Sequence, residues 1–304
     1  MTEDVSPTVA RRHLRLALRE AREAANLTQL EVAEEMEWSL SKIIRIENGD
    51  VRISPNDLRP LLTLLNVKDK TTVADLLAFA KIARTRQRTA WYQTPEFRSH
   101  ITDASMRLIE YEIEAQEIRY YQMHFMPGPL QTAAYTAANF AKFEDDEISA
   151  ATRHHRAEAR DRRRQTVLSR LGDLRMYALF DQSVFHRTLG GLEVFVEQLS
   201  FLLDLAVAGK VNVRMIPFDS PHAPLTNNAT FELYTLRAGD PTSDVLYRET
   251  GLVDEIVEDR EIARKHHERF DKIWRASATE EDTIDFMRNR IKELEAHIRD
   301  REST

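Results

Sequence analysis

Residues 27–49 read LTQLEVAEEMEWSLSKIIRIENG, and the order of polar and apolar residues here decides the first part of the fold. Thr28 and Glu31 have the spacing of a capping box, in which the threonine oxygen accepts one free backbone N–H and the glutamate accepts another, so a helix starts there. Ser39 offers the same start to a second helix. The spacing predicts one helix over 28–36 and another over 39–47, joined by a turn of about three residues. Ile43 and Ile46, three apart, are placed to face Val32, Ala33 and Met36, while Leu40, Ser41, Lys42 and Arg45 face outward. Ala33 is small enough to let the two helices cross closely. Two short helices, a tight turn and a polar outer row on the second helix form the arrangement that lays a helix in the major groove of DNA.

Start signals continue on both sides of this stretch. Ser54, Pro55 and Asp57 give a following helix its cap, its first-position proline and a first-turn acid, and Ser6-Pro7 opens a helix upstream. On that upstream helix Arg11, Arg12, Arg15, Arg19 and Arg22 fall within an arc of about 100°. The stripe reads as a basic face toward phosphates, or as a solvated face interleaved with Glu20 and Glu23. A further helix is expected from Thr72 to about Thr85.

Leu27-Thr28-Gln29, Ala33, Trp38-Ser39, Ser41-Lys42 and Arg45-Ile46-Glu47-Asn48-Gly49 together resemble the Cro/repressor (XRE) type of helix-turn-helix. The resemblance implies that Gln29 touches a phosphate and orients a side chain of the next helix. It also implies that Ser39, Ser41, Lys42 and Arg45 face the groove, and that Asn48 and Arg52 approach the DNA backbone. Lysine and arginine suit guanine O6 and N7, and Leu40 suits a thymine methyl group. An ion pair of Arg45 with Glu47 or Glu31 is the competing reading. Glu37 stands where the family usually has glycine, which costs about 1 kcal/mol if that position is left-handed.

Beyond residue 85 the sequence predicts a linker over 86–100, a helix over 103–121, a break at Met126-Pro127-Gly128-Pro129 and a long basic helix over 148–171. β-rich runs follow at 175–180, 211–216, 229–236 and 245–247. The helical run 192–208 between the first two has βαβ spacing and predicts a parallel pair. Helices are expected over 254–276 and 280–301. Ile284, Met287, Ile291, Leu294 and Ile298 have the three-four spacing of a coiled-coil seam, which serves either dimerisation or packing onto its own domain. The fold class is therefore multidomain: an all-α helix-turn-helix domain (1–70), a helical linker region (71–125) and a mixed α/β sensing or partner-binding domain (126–304).

This second half resembles the large C-terminal domain of actinobacterial, WhiJ-like regulators, some described as antitoxin-like. The matching pieces are Glu114-Ala115, Pro127 to Thr132, Arg163-Arg164-Gln165, Leu189-Gly190-Gly191, Val213 to Pro217 and Tyr247-Arg248-Glu249. The resemblance implies a module that receives a signal or a small protein encoded nearby, with Arg163, Arg164, Gln165 and Glu249 as candidate contacts. An antitoxin-like protein that sequesters a small partner and autoregulates its own operon is the alternative.

Composition bounds the remaining readings. The 304 residues are 42% hydrophobic and 31% charged with 8 glycines and 10 prolines, as expected of a folded, helix-rich chain. There is no cysteine, which excludes disulfides, thiolate metal sites and cysteine nucleophiles. No apolar run approaches the roughly 18 residues of a membrane span, and Met1 to Ala10 lacks a signal-peptide pattern, so a cytoplasmic protein without membrane contact is expected. The net charge of −7 requires any DNA contact to come from a local basic face. His154-His155 and His266-His267 are neighbours pointing about 100° apart on a helix, so no metal site is expected. With no phosphate loop, dinucleotide fingerprint or nucleophile elbow, neither catalysis nor a cofactor is expected. The overall expectation is a DNA-binding transcriptional regulator, a homodimer on double-stranded operator DNA.

Overall fold

The structure, a computed structural model, describes residues 7–49, 51–84, 90–141, 149–220, 230–236, 243–249 and 254–303. The chain divides into two compact units, Met1–Ala90 and Trp91–Thr304.

The first unit holds α1 (Pro7–Ala24), α2 (Gln29–Glu35), α3 (Leu40–Asn48), α4 (Pro55–Leu64) and α5 (Lys70–Arg84). Its helices begin where the local chemistry directs. The Thr28 oxygen accepts from the Glu31 N–H at 3.2 Å, and the Glu31 carboxylate accepts from the Thr28 N–H at 2.7 Å. Ser39 and Ser54 cap α3 and α4 in the same way, accepting from the N–H groups of Lys42 and Asp57. Ser6 lies outside the described residues. Glu37, in the turn before α3, has φ +54°, so the non-glycine residue is held left-handed at a cost of about 1 kcal/mol. α3 ends on Gly49 at φ +84°, the left-handed conformation that favours glycine, and the Arg15 side chain packs against it, 2.9 Å from where a Cβ would stand.

Val32 and Ala33 of α2 and Ile43 and Ile46 of α3 are buried together in one core with Leu14 and Leu18 of α1, and Met36 packs at its edge. Leu76, Phe79 and Ala80 of α5 belong to the same core. Residues 71–125 are therefore not a linker region. The apolar face of α5 needs cover and closes the first unit, while 91–125 fold into the second. Within the expected 86–100 linker, Trp91–Gln93 form a 3₁₀ turn and Pro95–Arg98 a short helix, α6, that bury Tyr92 and Phe97.

The second unit is built on a six-stranded sheet in the order β3-β2-β1-β4-β5-β6. The strands are β1 (Glu117–Gln122), β2 (Arg175–Asp181), β3 (Asn212–Ile216), β4 (Phe231–Thr235), β5 (Asp244–Glu249) and β6 (Asp254–Val257). The helices of this unit, after α6, are α7 (Asp103–Glu114), α8 (Ala133–Ala141), α9 (Ala150–Leu168), α10 (Leu192–Val207), α11 (Arg260–Ala276) and α12 (Glu280–Glu302). β1, β2 and β3 are parallel, with α10 crossing between β2 and β3 as the βαβ spacing predicts, while β4, β5 and β6 add antiparallel pairs.

Two segments expected to be helical are strands. The helix from Asp103 stops at Glu114 because Ala115 turns extended, and Ile118, Tyr120 and Tyr121 suit a central strand buried on both faces. Asp254–Val257 pairs with β5, and the helix after it starts at Arg260 under an Asp259 cap. The residue expected to begin β4, Ala229, lies outside the described residues.

One face of the sheet carries Tyr121, Leu179, Phe231, Leu233 and Leu246 and packs under Phe270 and Ile273 of α11. The apolar seam of α12 is turned inward: Met287, Ile291 and Leu294 are buried while α12 packs on α10 and β3. Of the two readings of that seam, packing onto its own domain is the one observed. The Thr283 hydroxyl anchors the helix by accepting from the Met215 N–H at 3.1 Å.

Two stability outcomes follow from this packing. Ala33→Leu should overpack the α2–α3 crossing and lower unfolding free energy by about 1–3 kcal/mol, and a variant with unchanged denaturant midpoint would contradict the placement. Leu294→Ala should cost about 2–5 kcal/mol in the unfolding transition of the second unit without altering the sedimentation coefficient at fixed concentration.

Candidate functional site

In the first unit the positions that could meet DNA are fixed by one buried acid. Glu47, near the end of α3, is 4% exposed. Its carboxylate accepts from Arg22 Nε at 2.6 Å and Nη2 at 3.1 Å, and from Gln29 Nε2 at 2.8 Å. Arg22 also donates to the Leu27 carbonyl at 2.9 Å, and Arg19 stands 3.8 Å from Glu47. The hydrogen bond to Glu47 raises the pKa of Arg22. Through this network α1 and the start of α2 grip the end of α3, with a fork-on-carboxylate geometry suited to a buried pair.

The basic face expected on α1 is therefore not a free face. Arg12 and Arg15 are 6% and 7% exposed, Arg15 lies against Gly49, and Arg22 is engaged with Glu47. The helical period that gathers these arginines also turns Arg15, Arg19 and Arg22 toward the end of α3.

The outer row of α3 stands clear. Leu40, Ser41, Ile44, Arg45 and Asn48 are exposed, as is Arg52 beyond the helix. The ion pairs considered for Arg45 do not form, because Glu47 is held by Arg22 and Gln29 while Glu31 closes its capping box. Lys42 is more restrained: its Nζ lies 3.6 Å from the centre of the Trp38 ring and 3.7 Å from the Asp57 carboxylate. Ser39 accepts a backbone N–H as a cap, which leaves its hydroxyl proton for another acceptor. The side chain of α3 that Gln29 orients is Glu47.

In the second unit, the sheet face opposite α11 is unusually polar for a buried surface. Tyr120 lies across from Glu232, and Glu232 across from Tyr247, in adjacent strands. Glu232 accepts from the Tyr234 hydroxyl and from Gln122 Nε2 at 3.1 Å. The Tyr120 hydroxyl is buried with no hydrogen-bond partner among the described residues. Beside them, Arg163 of α9 makes a two-pronged pair with Glu112 of α7, at 2.6 and 2.7 Å. Burial, opposed by the Tyr234 hydrogen bond and assisted by Glu112, pushes the Glu232 carboxyl up to about 7. Burial and then Glu232 raise both Tyr120 and Tyr234.

The arginines of α9 are mostly occupied in holding the fold. Arg170, just after α9, donates to the Glu112 and Ala115 carbonyls, 2.7 and 2.5 Å, at the C-terminal end of α7, where a cation is favoured. Arg156 donates to the His100 carbonyl, and Arg162 stacks over Trp91 and Phe97. Arg163, Arg164, Gln165 and Glu249 are not gathered into one site. Arg163 is tied to Glu112, Arg164 and Gln165 both bond Asp161, and Glu249 ends β5 across from Asp254. The adjacent histidines separate as expected: His155 stacks on His100, 4.4 Å between centres, while His154 lines a cavity between α8 and α9. Among the described residues no cluster of potential metal ligands occurs and no helix is long and apolar enough to cross a membrane. Sequence reasoning missed Tyr120, Glu232 and Tyr234, because a glutamate alternating with apolar residues reads as facing solvent.

The raised Glu232 carboxyl sets a pH dependence. Below the ordinary value of 4.5 the group is neutral in both states; between there and about 7 the unfolded chain releases the proton that the fold retains. Stability from this group is therefore lost as pH rises across that window, by about 3 kcal/mol, and then levels off. Glu232→Gln should abolish the decline, so its advantage over the parent in denaturant unfolding should be larger at pH 8 than at pH 4.5.

Comparison with known protein families matches residues 13–76 to a helix-turn-helix domain and residues 105–289 to a domain of unknown function, DUF5753. No curated protein and no solved structure matches the chain. The helix-turn-helix match runs from within α1 to within α5, taking in α2, α3 and α4 whole, and supports reading the first unit as the DNA-binding domain of a regulator. The second match takes in β1 to β6, α9 and the buried polar face, more than half of the sequence, and the chain accordingly belongs to the DUF5753 family, carrying a helix-turn-helix domain ahead of the family's domain.

Proposed function

We propose that the protein is a sequence-specific transcriptional regulator of the XRE type, cytoplasmic and without catalytic activity, whose second unit receives a signal that changes its grip on operator DNA. The observation that carries the reading is the exposed row Leu40, Ser41 and Arg45 on a helix whose buried side is locked through Glu47 to Arg22 and Gln29. Arg45 has a free fork for a guanine edge, and Leu40, 39% exposed, offers the apolar contact for a thymine methyl group. Lys42, Asn48, Arg52 and the remaining N–H of Gln29 supply backbone contacts that fix register.

One such helix reads only a few base pairs, so a twofold dimer on a near-palindrome is part of the reading, with half-site centres about 34 Å apart. Since the α12 seam is buried, the dimer forms through another surface. The cavity between α8 and α9 favours a small-molecule signal over a protein partner; the WhiJ-like resemblance is what keeps a small protein encoded nearby in view.

Arg45→Ala should weaken binding to labelled DNA from upstream of the gene by about 1–3 kcal/mol, read by fluorescence anisotropy, with an unchanged thermal midpoint. Lys42→Ala should cost less, because Lys42 is already held by Trp38 and Asp57. Full affinity in both variants would remove α3 as the reading helix.

A further inference from the structure

Between α8 and α9 lies a cavity of about 400 Å³, within the range of small-molecule sites, about 300–1,000 Å³. Its walls differ in character, and Thr136, His154 and the Asp161 carboxylate also line it. Ala133, Ala137 and Phe140 of α8 form an apolar side, while Arg153, Arg160 and Arg164 of α9 bring guanidinium groups to the other. The spacing 153, 160, 164 places these arginines on one side of the helix.

Arg160 differs from its neighbours on α9. Arg163 has Glu112, and Arg164 has Asp161 at 2.7 Å. Arg160 has the neutral Gln131 carbonyl oxygen at 3.4 Å and the face of Phe140, its guanidinium carbon 4.6 Å from the ring centre. Among the described residues it makes no ion pair. Burial and the adjacent charge of Arg163, opposed in part by the charge of Glu249, lower its pKa to about 10, so it stays protonated at neutral pH in a place that on balance disfavours its charge. An anion at this position would relieve that imbalance, and the apolar wall opposite would shield the ligand's body from water.

We propose that this cavity binds a small organic anion with an apolar body, its acidic group on Arg160 and its body against Ala133, Ala137 and Phe140, and that this ligand is the signal the regulator receives. The proposal rests on the reading of the second unit as a receiver. α9 is suited to the role because it also holds the first residues of that unit: Arg162 covers Trp91 and Phe97, and the His100 ring bonds Thr152 at 2.9 Å.

The test uses the full-length protein and two probes of similar shape, the fluorescent anion anilinonaphthalenesulfonate and its neutral counterpart N-phenylnaphthylamine. One anion should bind per chain, and Arg160→Met should weaken it about tenfold while leaving the neutral probe unchanged. Ala137 is exposed, so Ala137→Trp fills the cavity without straining the core and should abolish binding of both probes. Equal binding of the two probes by the parent protein, or anion binding that survives Ala137→Trp, overturns the site. Labelled upstream DNA in the same samples separates the two parts of the proposal. Anion binding in the cavity that leaves DNA affinity unchanged overturns the signalling role, whereas loss of DNA binding by the ligand-free parent overturns the regulator reading itself.

Discussion

A charged carboxylate removed from water is costly unless it is paired and hydrogen-bonded, and Glu47 imposes that requirement on the first unit. It is met only when α1 delivers Arg22 and α2 delivers Gln29 to the same point, so one side chain specifies three helix positions at once. Gly49, two residues on, lets Arg15 close against the end of α3 where a Cβ would make the arginine side chain shift. The outward angle of α3 is a by-product of this inner arrangement. The residues that can meet DNA are few, and those that orient them are buried, charged and contributed by other helices.

The second unit solves a different problem, because its sheet has two unlike faces. One is an ordinary apolar core under α11; the other carries tyrosines and a glutamate under α7 and α9. A buried polar face is tolerable where partners are provided: Gln122 and Tyr234 donate to Glu232 within the sheet, while α9 fastens α7 beside it by pairing Arg163 with Glu112 and seating Arg170 on the carbonyls that end α7. α9 is thus the element on which the polar face, the cavity and the first residues of the unit all bear.

How much of this was legible in the sequence depended on the range of the interaction. Helix starts at Thr28, Ser39 and Ser54 were readable because a cap and its target lie three residues apart. The outward row of α3 was readable from the same short period. The fate of the α1 arginines was not, since Arg22 and Glu47 are separated by 25 residues and nothing local marks them as partners. Glu117–Gln122 was hidden for a similar reason: its strand state depends on pairing with residues 175–180 and 231–235, and its local period allowed a helix. The α12 seam was seen correctly as apolar, but what covers it, α10 and β3, is decided by the tertiary fold. In the second unit the arginine-rich helix was visible, whereas the difference between a paired Arg163 and an unpaired Arg160 rests on the helices opposite.

The inward turn of the α1 arginines also bears on how the regulator responds to salt. Each phosphate neutralised by a protein cation releases condensed counterions from DNA, and affinity falls with ionic strength in proportion to their number, with a logarithmic slope of about −0.9 per phosphate. Arg22 is engaged with Glu47 and the Leu27 carbonyl, and Arg12 and Arg15 are buried, so these three present little surface to phosphates. A chain of net charge −7 therefore approaches DNA with a small set of outward cations, Arg45 and Arg52 chief among them. Its complex accordingly depends less on ionic strength than the arginine-rich first helix suggests.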